Sequence, residues 1–154
     1  MADNPSKWSA YAATKTALFA AADLKNLATT AGKLSTASAI DNTAGHQFAD
    51  LELLIDLATA ATAGGLIELW FIKALDGTNY ESGADAVFPA RSADVIIPVR
   101  STTDDSQVVT VGPVIWPQGL FKVLFRNSTG QTTTDTDSLT QVYYRPYNDN
   151  LVTA

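Results

Sequence analysis

Few residues in this chain are able to do chemistry, and the single histidine comes first among them. His46 lies in the short polar segment Thr43–Gln47, before a predicted strand. A Ser-His-Asp triad would have to use it, and a triad needs a supported geometry that a polar link does not supply. We therefore interpret His46 as an exposed loop residue. With one histidine, a multi-histidine metal site is excluded.

Acidic residues are the other candidates. Three pairs are candidates for a joint role: Glu52 with Asp56, Asp104 with Asp105, and Asp135 with Asp137. Glycoside hydrolysis needs two carboxylates across a cleft, one of them with a raised pKa, and nothing in the sequence indicates such a cleft. The third pair lacks the remaining ligands of a calcium loop. We interpret all three as solvated carboxylates.

The composition excludes several classes of catalytic and binding site. The chain has no cysteine, which excludes thiolate catalysis, disulfides and cysteine-ligated metals. No glycine-rich phosphate-binding loop is present. We therefore expect no enzyme, no cofactor and no metal. A net charge of −6 with scattered Lys and Arg also argues against nucleic-acid partners, because phosphate binding needs a basic face.

The chain shows no membrane or export signal in its sequence. Residues Met1 to Trp8 are polar, unlike a signal peptide. The most apolar stretch, Leu66–Leu75, is far shorter than the ~20 residues that span a bilayer. A disulfide-free domain suits synthesis in a reducing cytoplasm. We expect no membrane partner.

The elements that must position any site are predicted to be strands. Phe48–Leu57 alternates apolar and acidic residues, as a half-buried strand does, although the same residues also fit a helix. Leu66–Leu75 is apolar on both faces, which indicates a central strand or one whose outer face meets a partner. Pro98 places Asp94–Arg100 at an edge or a bulge. Leu120–Arg126 alternates cleanly and predicts a further strand. Other runs predict strands at Lys15–Phe19, Asp23–Thr29, Ala37–Ile40, Gln107–Val111 and Leu139–Tyr144.

About eight short strands separated by turn signals predict an all-β fold, an antiparallel β-sandwich of jelly-roll type. We place the sandwich domain at residues 14–147, an N-terminal arm at 1–13 and a C-terminal tail at 148–154. Aromatic residues near loops and termini are candidates for interface anchors. They are Trp8, Tyr11, Trp116 and Tyr147.

From Phe48 to Asn148 the sequence resembles small virion structural proteins of tailed bacteriophages. The residues that carry the resemblance are Ile67–Trp70 with Ala74–Tyr80, Ile97–Arg100, Trp116–Val123, Asn127–Gln131 and Tyr143–Tyr147.

The resemblance implies a jelly-roll or related sandwich that decorates or cements the capsid, without catalytic residues. It further implies binding to the major capsid protein on the outer capsid surface, as a homo-oligomer such as a dimer or trimer. Such a protein would be made in the cytoplasm of a host bacterium. The alternative is a tail or fibre component that binds a receptor or a carbohydrate.

Overall fold

The computed structural model describes residues 14–35, 39–74, 76, 78–81, 84–101 and 106–148. In this part of the chain nine strands form and no helix does. The strands are β1 (Thr16–Ala17), β2 (Gly32–Leu34), β3 (Ile40–Asn42), β4 (Phe48–Ile55), β5 (Leu66–Lys73), β6 (Val95–Pro98), β7 (Gln107–Ile115), β8 (Gly119–Ser128) and β9 (Gln141–Tyr147). Among the described residues no helix is long and apolar enough to cross a membrane.

The strands make two antiparallel sheets. The first sheet has the order β1-β9-β4-β7, and the second has the order β2-β8-β5-β6. Strand β8 pairs with β5 along one side. Along its other side it pairs with both β2 and β3. Counted as one interrupted strand, β2 and β3 complete the eight-position order of a jelly roll. The predicted all-β, jelly-roll sandwich is therefore confirmed.

The interruption between β2 and β3 has a simple cause. Leu34 lies opposite Leu124 and Ile40 lies opposite Phe121, so six steps along one strand match three along the other. Five residues separate the paired positions on this side and two on the β8 side, so the pairing is interrupted between β2 and β3. Strand β2 was not predicted because Gly32 lies in a segment that has the composition of a turn.

The core lies between the sheets and follows the predicted alternation. In β4 the residues Ala49, Leu51, Leu53 and Ile55 are 0% exposed, while their neighbours are half-buried. The strand prediction for Phe48–Leu57 is thus correct and the helical alternative is wrong. Full burial of a Leu or Ile side chain contributes about 1.5–3 kcal/mol, so this inner row is a main source of stability.

Several predicted strands changed in extent. The predicted strand Lys15–Phe19 is reduced to β1, after which Leu18 and Phe19 turn into the core at 1% and 3% exposure. The predicted strand Asp23–Thr29 is wrong, since these residues form turns. Their backbone groups bond instead to the β8–β9 loop, as in Leu27 N to Thr133 Oγ1 at 2.8 Å.

The edge prediction for Pro98 is confirmed. Strand β6 ends at Pro98 and is an edge of the second sheet. Proline lacks the N–H that a second neighbour would need. The buried side chain of Gln107 links the following segment to β7, since its amide bonds both the N–H and the C=O of Arg100 at 2.9 and 3.0 Å.

Candidate functional site

The sandwich has two outer faces, and the outer face of the second sheet is covered by another segment of the chain. Trp70, Ile72 and Leu124 point outward from this sheet but are 0–3% exposed. The described residues of the β5–β6 connection (74, 76, 78–81 and 84–94), which we call the connection 74–94, lie over them, with Phe88 packed on Trp70 at 5.5 Å between ring centroids. This accounts for the apolar character of both faces of β5: one faces the core and the other faces the chain's own loop.

The outer face of the first sheet is not covered in this way by the described residues. It consists of Phe48, Asp50, Glu52 and Leu54 of β4, Tyr143, Arg145 and Tyr147 of β9, and Val108 and Thr110 of β7. All of these residues are half-buried or exposed. We call this surface the open face.

Aromatic and charged residues are interleaved on the open face because β4 and β9 lie in register. Phe48 is opposite Tyr147, Asp50 is opposite Arg145 and Glu52 is opposite Tyr143. The rings of the first pair are 5.9 Å apart. Because alternate residues share one face of a strand, the three pairs form one continuous row.

One edge of the row is held by Lys15. Its ammonium group forms an ion pair with Glu52 and lies 4.3 Å from the centroid of the Tyr143 ring. A shallow pocket of about 200 Å³ opens beside it, between these residues and Arg145. The open face thus offers donors, acceptors and ring surface, a combination typical of protein-binding surfaces.

A second concave feature lies where the connection 74–94 approaches the end of β7. This groove has a volume of about 1060 Å³. Its polar wall carries Asp76, Asn79, Glu81, Arg91 and Asp94, and its apolar wall carries Phe71, Pro113, Val114, Ile115 and Pro117. Ile115, which is 79% exposed, forms the apolar rim.

Arg91 organises the polar wall of the groove. Its guanidinium donates to Asp94 at 2.8 Å, to Glu81 at 3.4 Å and to the carbonyl oxygen of Phe71 at 3.0 Å. Partial burial opposes its charge, but the hydrogen bonds and charges of Asp94 and Glu81 outweigh burial and raise the pKa of Arg91. The wall is therefore fixed in place by an ion-pair network.

Asp76 is held in a tight turn at the same wall. Its carboxylate accepts from the backbone N–H of Asn79 at 2.7 Å and of Thr78 at 2.9 Å. These bonds, with one from the Asn79 side chain, lower the pKa of Asp76 to about 2. No signal in the sequence indicated that Asp76, Arg91 and Asp94 lie together.

The four predicted anchor residues have different positions. Trp116 is 2% exposed and lies between Phe71, Phe121 and Tyr144, with ring centroids 4.9–5.4 Å away. Its indole belongs to the core, which corrects the expectation of a surface anchor. Its position near a predicted loop suggested the surface, but the chain directs this side chain inward.

Tyr147, by contrast, lies on the open face, half-buried beside Phe48. Trp8 and Tyr11 lie outside the described residues, as does the predicted arm 1–13. Of the predicted tail 148–154 only Asn148 is described, and its side chain accepts a hydrogen bond from the backbone N–H of Gln47 at 2.8 Å.

His46 is half-buried rather than exposed as expected. Its backbone bonds to Asn42, and its Nδ1 is buried with no hydrogen-bond partner among the described residues. A triad requires a carboxylate at that atom. No group of three metal-ligating side chains occurs in the described ranges.

The predicted acidic pairs are engaged in local contacts where they are described. Asp135 bonds Asn26 at 2.5 Å, Asp137 pairs with Lys25 at 3.0 Å, and Asp56 accepts from Ser106 at 3.1 Å. Asp104 and Asp105 lie outside the described residues. These carboxylates therefore attach loops to each other.

Comparisons with known proteins add little. No protein-family model and no curated protein matches the chain. Among solved structures it is similar to a CBM32 domain from a family 31 glycoside hydrolase of Clostridium perfringens, at 16% identity. The match covers 95% of this chain and 98% of that one with a TM-score of 0.26, which is too low to support any conclusion about function.

Proposed function

We propose that this chain is a non-enzymatic virion protein that binds the outer surface of a tailed-bacteriophage capsid and stabilises it by bridging major capsid protein subunits. The open face carries the proposal. It is a surface of aromatic and charged residues on a hydrogen-bonded sheet, and the resemblance of residues 48–148 to phage structural proteins points to the partner.

The composition of the open face suits contact with protein. Tyrosine and arginine are enriched in interfaces and among their hot spots. Tyr143, Arg145 and Tyr147 come from one strand, so their spacing is fixed before binding. Little ordering is then needed when the face meets a partner.

On a capsid lattice, the affinity of each single copy for its site can be modest. One flat face gives limited affinity, but linked copies that bind neighbouring sites gain avidity without new contacts. A bridging protein therefore needs a rigid domain and repeated weak contacts rather than a deep pocket.

Single tyrosine substitutions test the proposal. Tyr143→Ala and Tyr147→Ala should each weaken binding to purified capsids lacking this chain at least tenfold, as expected for interface aromatics. Tyr80→Ala is the matched control, because Tyr80 is a half-buried tyrosine packed on the covered face. It should bind within twofold of the wild type. Thermal unfolding of each variant separates lost binding from lost folding.

Cryo-electron microscopy of the virion provides the second test. Density for the sandwich on the outer capsid surface, with the open face against capsid subunits, is the expected result. Density confined to the tail, or equal capsid binding by all three tyrosine variants, would contradict the proposal.

The groove favours one alternative, a carbohydrate- or receptor-binding component of the tail or fibre. Its size is close to that of small-molecule sites, and it opposes an apolar rim to fixed polar groups. A glycan array tests this alternative. Binding that is lost with Ile115→Glu and kept with Ile96→Glu, another exposed isoleucine, would support it.

A further inference from the structure

The described strands give the sandwich four lateral edges, and three of these are short or interrupted. Strand β1 has two residues, β6 has four and ends in Pro98, and the β2/β3 edge is broken by its extra residues. Short strands, prolines and irregularities are the usual means of keeping sheet edges from pairing with other chains. The fourth edge, β7, differs from these.

Strand β7 is a nine-residue edge that pairs only with β4 among the described strands. It contains no charged residue, and none occurs from Ser106 to Phe121. Six of its nine residues are β-branched, the type that strands favour. Val108 is 60% exposed. A long, neutral, apolar edge of this kind is a template for adding a strand.

A bulge limits the usable part of β7. Leu51 lies opposite Val111 and Ala49 lies opposite Val114, so Gly112 and Pro113 together face Asp50. Proline cannot donate to a new neighbour and the bulge bends the strand. The regular segment is therefore Gln107–Val111, which spans about 17 Å at the usual strand rise.

We propose that a second copy of this chain pairs with this segment, antiparallel and about a two-fold axis at Val109. In that register Gln107 faces Val111 of the other copy, and Val108 faces Thr110. The segment is self-complementary, since both sides are neutral and no like charges meet, although the chain carries a net charge of −6. A second copy fits this edge because two-fold pairing places the same uncharged residues of both copies opposite each other.

The geometry of this pairing determines how the two open faces of the dimer are oriented. Antiparallel neighbours in a sheet are related by an axis perpendicular to it, so the two first sheets join into one of eight strands. Both open faces then point to the same side. A five-residue contact is smaller than stable interfaces require, so the free dimer should be weak.

Sedimentation measures the association in the free protein. The wild type should shift from monomer to dimer as its concentration rises toward the millimolar range. Val108→Lys should raise the apparent dissociation constant at least tenfold, because two lysines approach the axis. Ile96→Lys, an exposed position on the β6 edge, should leave it unchanged. A wild type that stays monomeric, or equal effects of both lysines, would overturn the proposal.

Crosslinking tests the register, since the chain has no cysteine of its own. An equimolar mixture of the Val108→Cys and Thr110→Cys proteins should form the mixed disulfide faster than either protein forms its own dimer. Directly opposed residues lie about 5 Å apart and diagonal ones about 7–8 Å. Equal rates for all three combinations would overturn the pairing.

Both measurements use the free chain, so they succeed or fail independently of capsid binding. A wild type that stays monomeric but still binds capsids would overturn self-association while leaving the proposed function standing.

Discussion

The ring of Phe88 occupies the space that a side chain on Gly32 would need. A Cβ atom built on Gly32 would lie 2.6 Å from Cε1 of Phe88 and 3.1 Å from the carbonyl oxygen of Phe125. The glycine thus lets the connection 74–94 lie flat on the second sheet.

We therefore predict that Gly32→Ala destabilises the protein by about 1–3 kcal/mol, the usual cost of overpacking. The sign of this change in stability distinguishes a close contact from open space, because the same substitution in an open strand would stabilise the protein by about 0.5–1 kcal/mol. Urea unfolding gives the difference. In a Phe88→Leu background the penalty should shrink, and an undiminished penalty would show that Phe88 is not its cause.

Trp116 should behave as a core residue. Trp116→Ala removes contacts with Phe71, Phe121 and Tyr144 and should lower the free energy of unfolding by about 3–5 kcal/mol. The neighbouring Ile115→Ala should stay within about 0.5 kcal/mol, since Ile115 is exposed. Chemical denaturation of both variants decides the matter. A stable Trp116→Ala variant with impaired binding would restore the surface role.

Asn127 should tolerate little change. It is 0% exposed, donates to Leu27 O at 2.8 Å and Gln131 O at 2.7 Å, and accepts from Thr129. Asn127→Asp replaces the donor with an acceptor facing two carbonyls and should cost at least the ~1–3 kcal/mol of an unsatisfied buried group. Thermal unfolding near neutral pH checks this. Ser128→Ala, which loses only a bond to Glu68, is the neighbouring control.

The pKa of Asp76 makes a pH prediction. Because it is lowered from 3.8 to about 2, the turn's contribution to folding is fully present above pH ~4 and is lost as pH falls through about 2. The carboxyl carbon signal of Asp76 in NMR should titrate near pH 2. Asn79→Ala should raise the midpoint only in part, because both backbone bonds remain. A wild-type midpoint near 3.8 would refute the turn.

Removing Met1–Ala13 should weaken capsid binding, because Trp8 and Tyr11 are the anchors predicted there. Occupancy on particles, measured by gel densitometry, should fall well below that of the full chain, while the melting temperature should stay unchanged. Full occupancy after the deletion would remove the arm from the binding surface.

Periodicity predicted most of the fold. Strands β4 and β8 were found because side-chain alternation records burial directly, and β5 was found because a short run that is apolar on both faces indicates a strand covered on both sides. Strand β2 was missed because Gly32, which serves a close approach by Phe88, carries the signal of a turn. The predicted strand around Asp23 failed because those backbone groups bond to a loop more than a hundred residues away.

The candidate sites were harder to predict. Tyr147 was identified by its type and lies on the open face. Trp116 was assigned to the surface because it lies near a predicted loop, and local sequence does not reveal in which direction a turn points a side chain. The groove joins Asp76 and Arg91 to Pro113, and only the stacking of two sheets makes them neighbours.

The connection 74–94 covers the outer face of the second sheet, so this face differs from the open face of the first sheet. If the open face is buried against a particle, the covered face with residues 74–94 must point outward in every copy. That connection would then be the coat seen by antibodies, proteases and host cells. Its sequence could vary widely while Phe88 and Tyr80 keep it seated, and a peptide inserted there would be displayed at the density of the lattice.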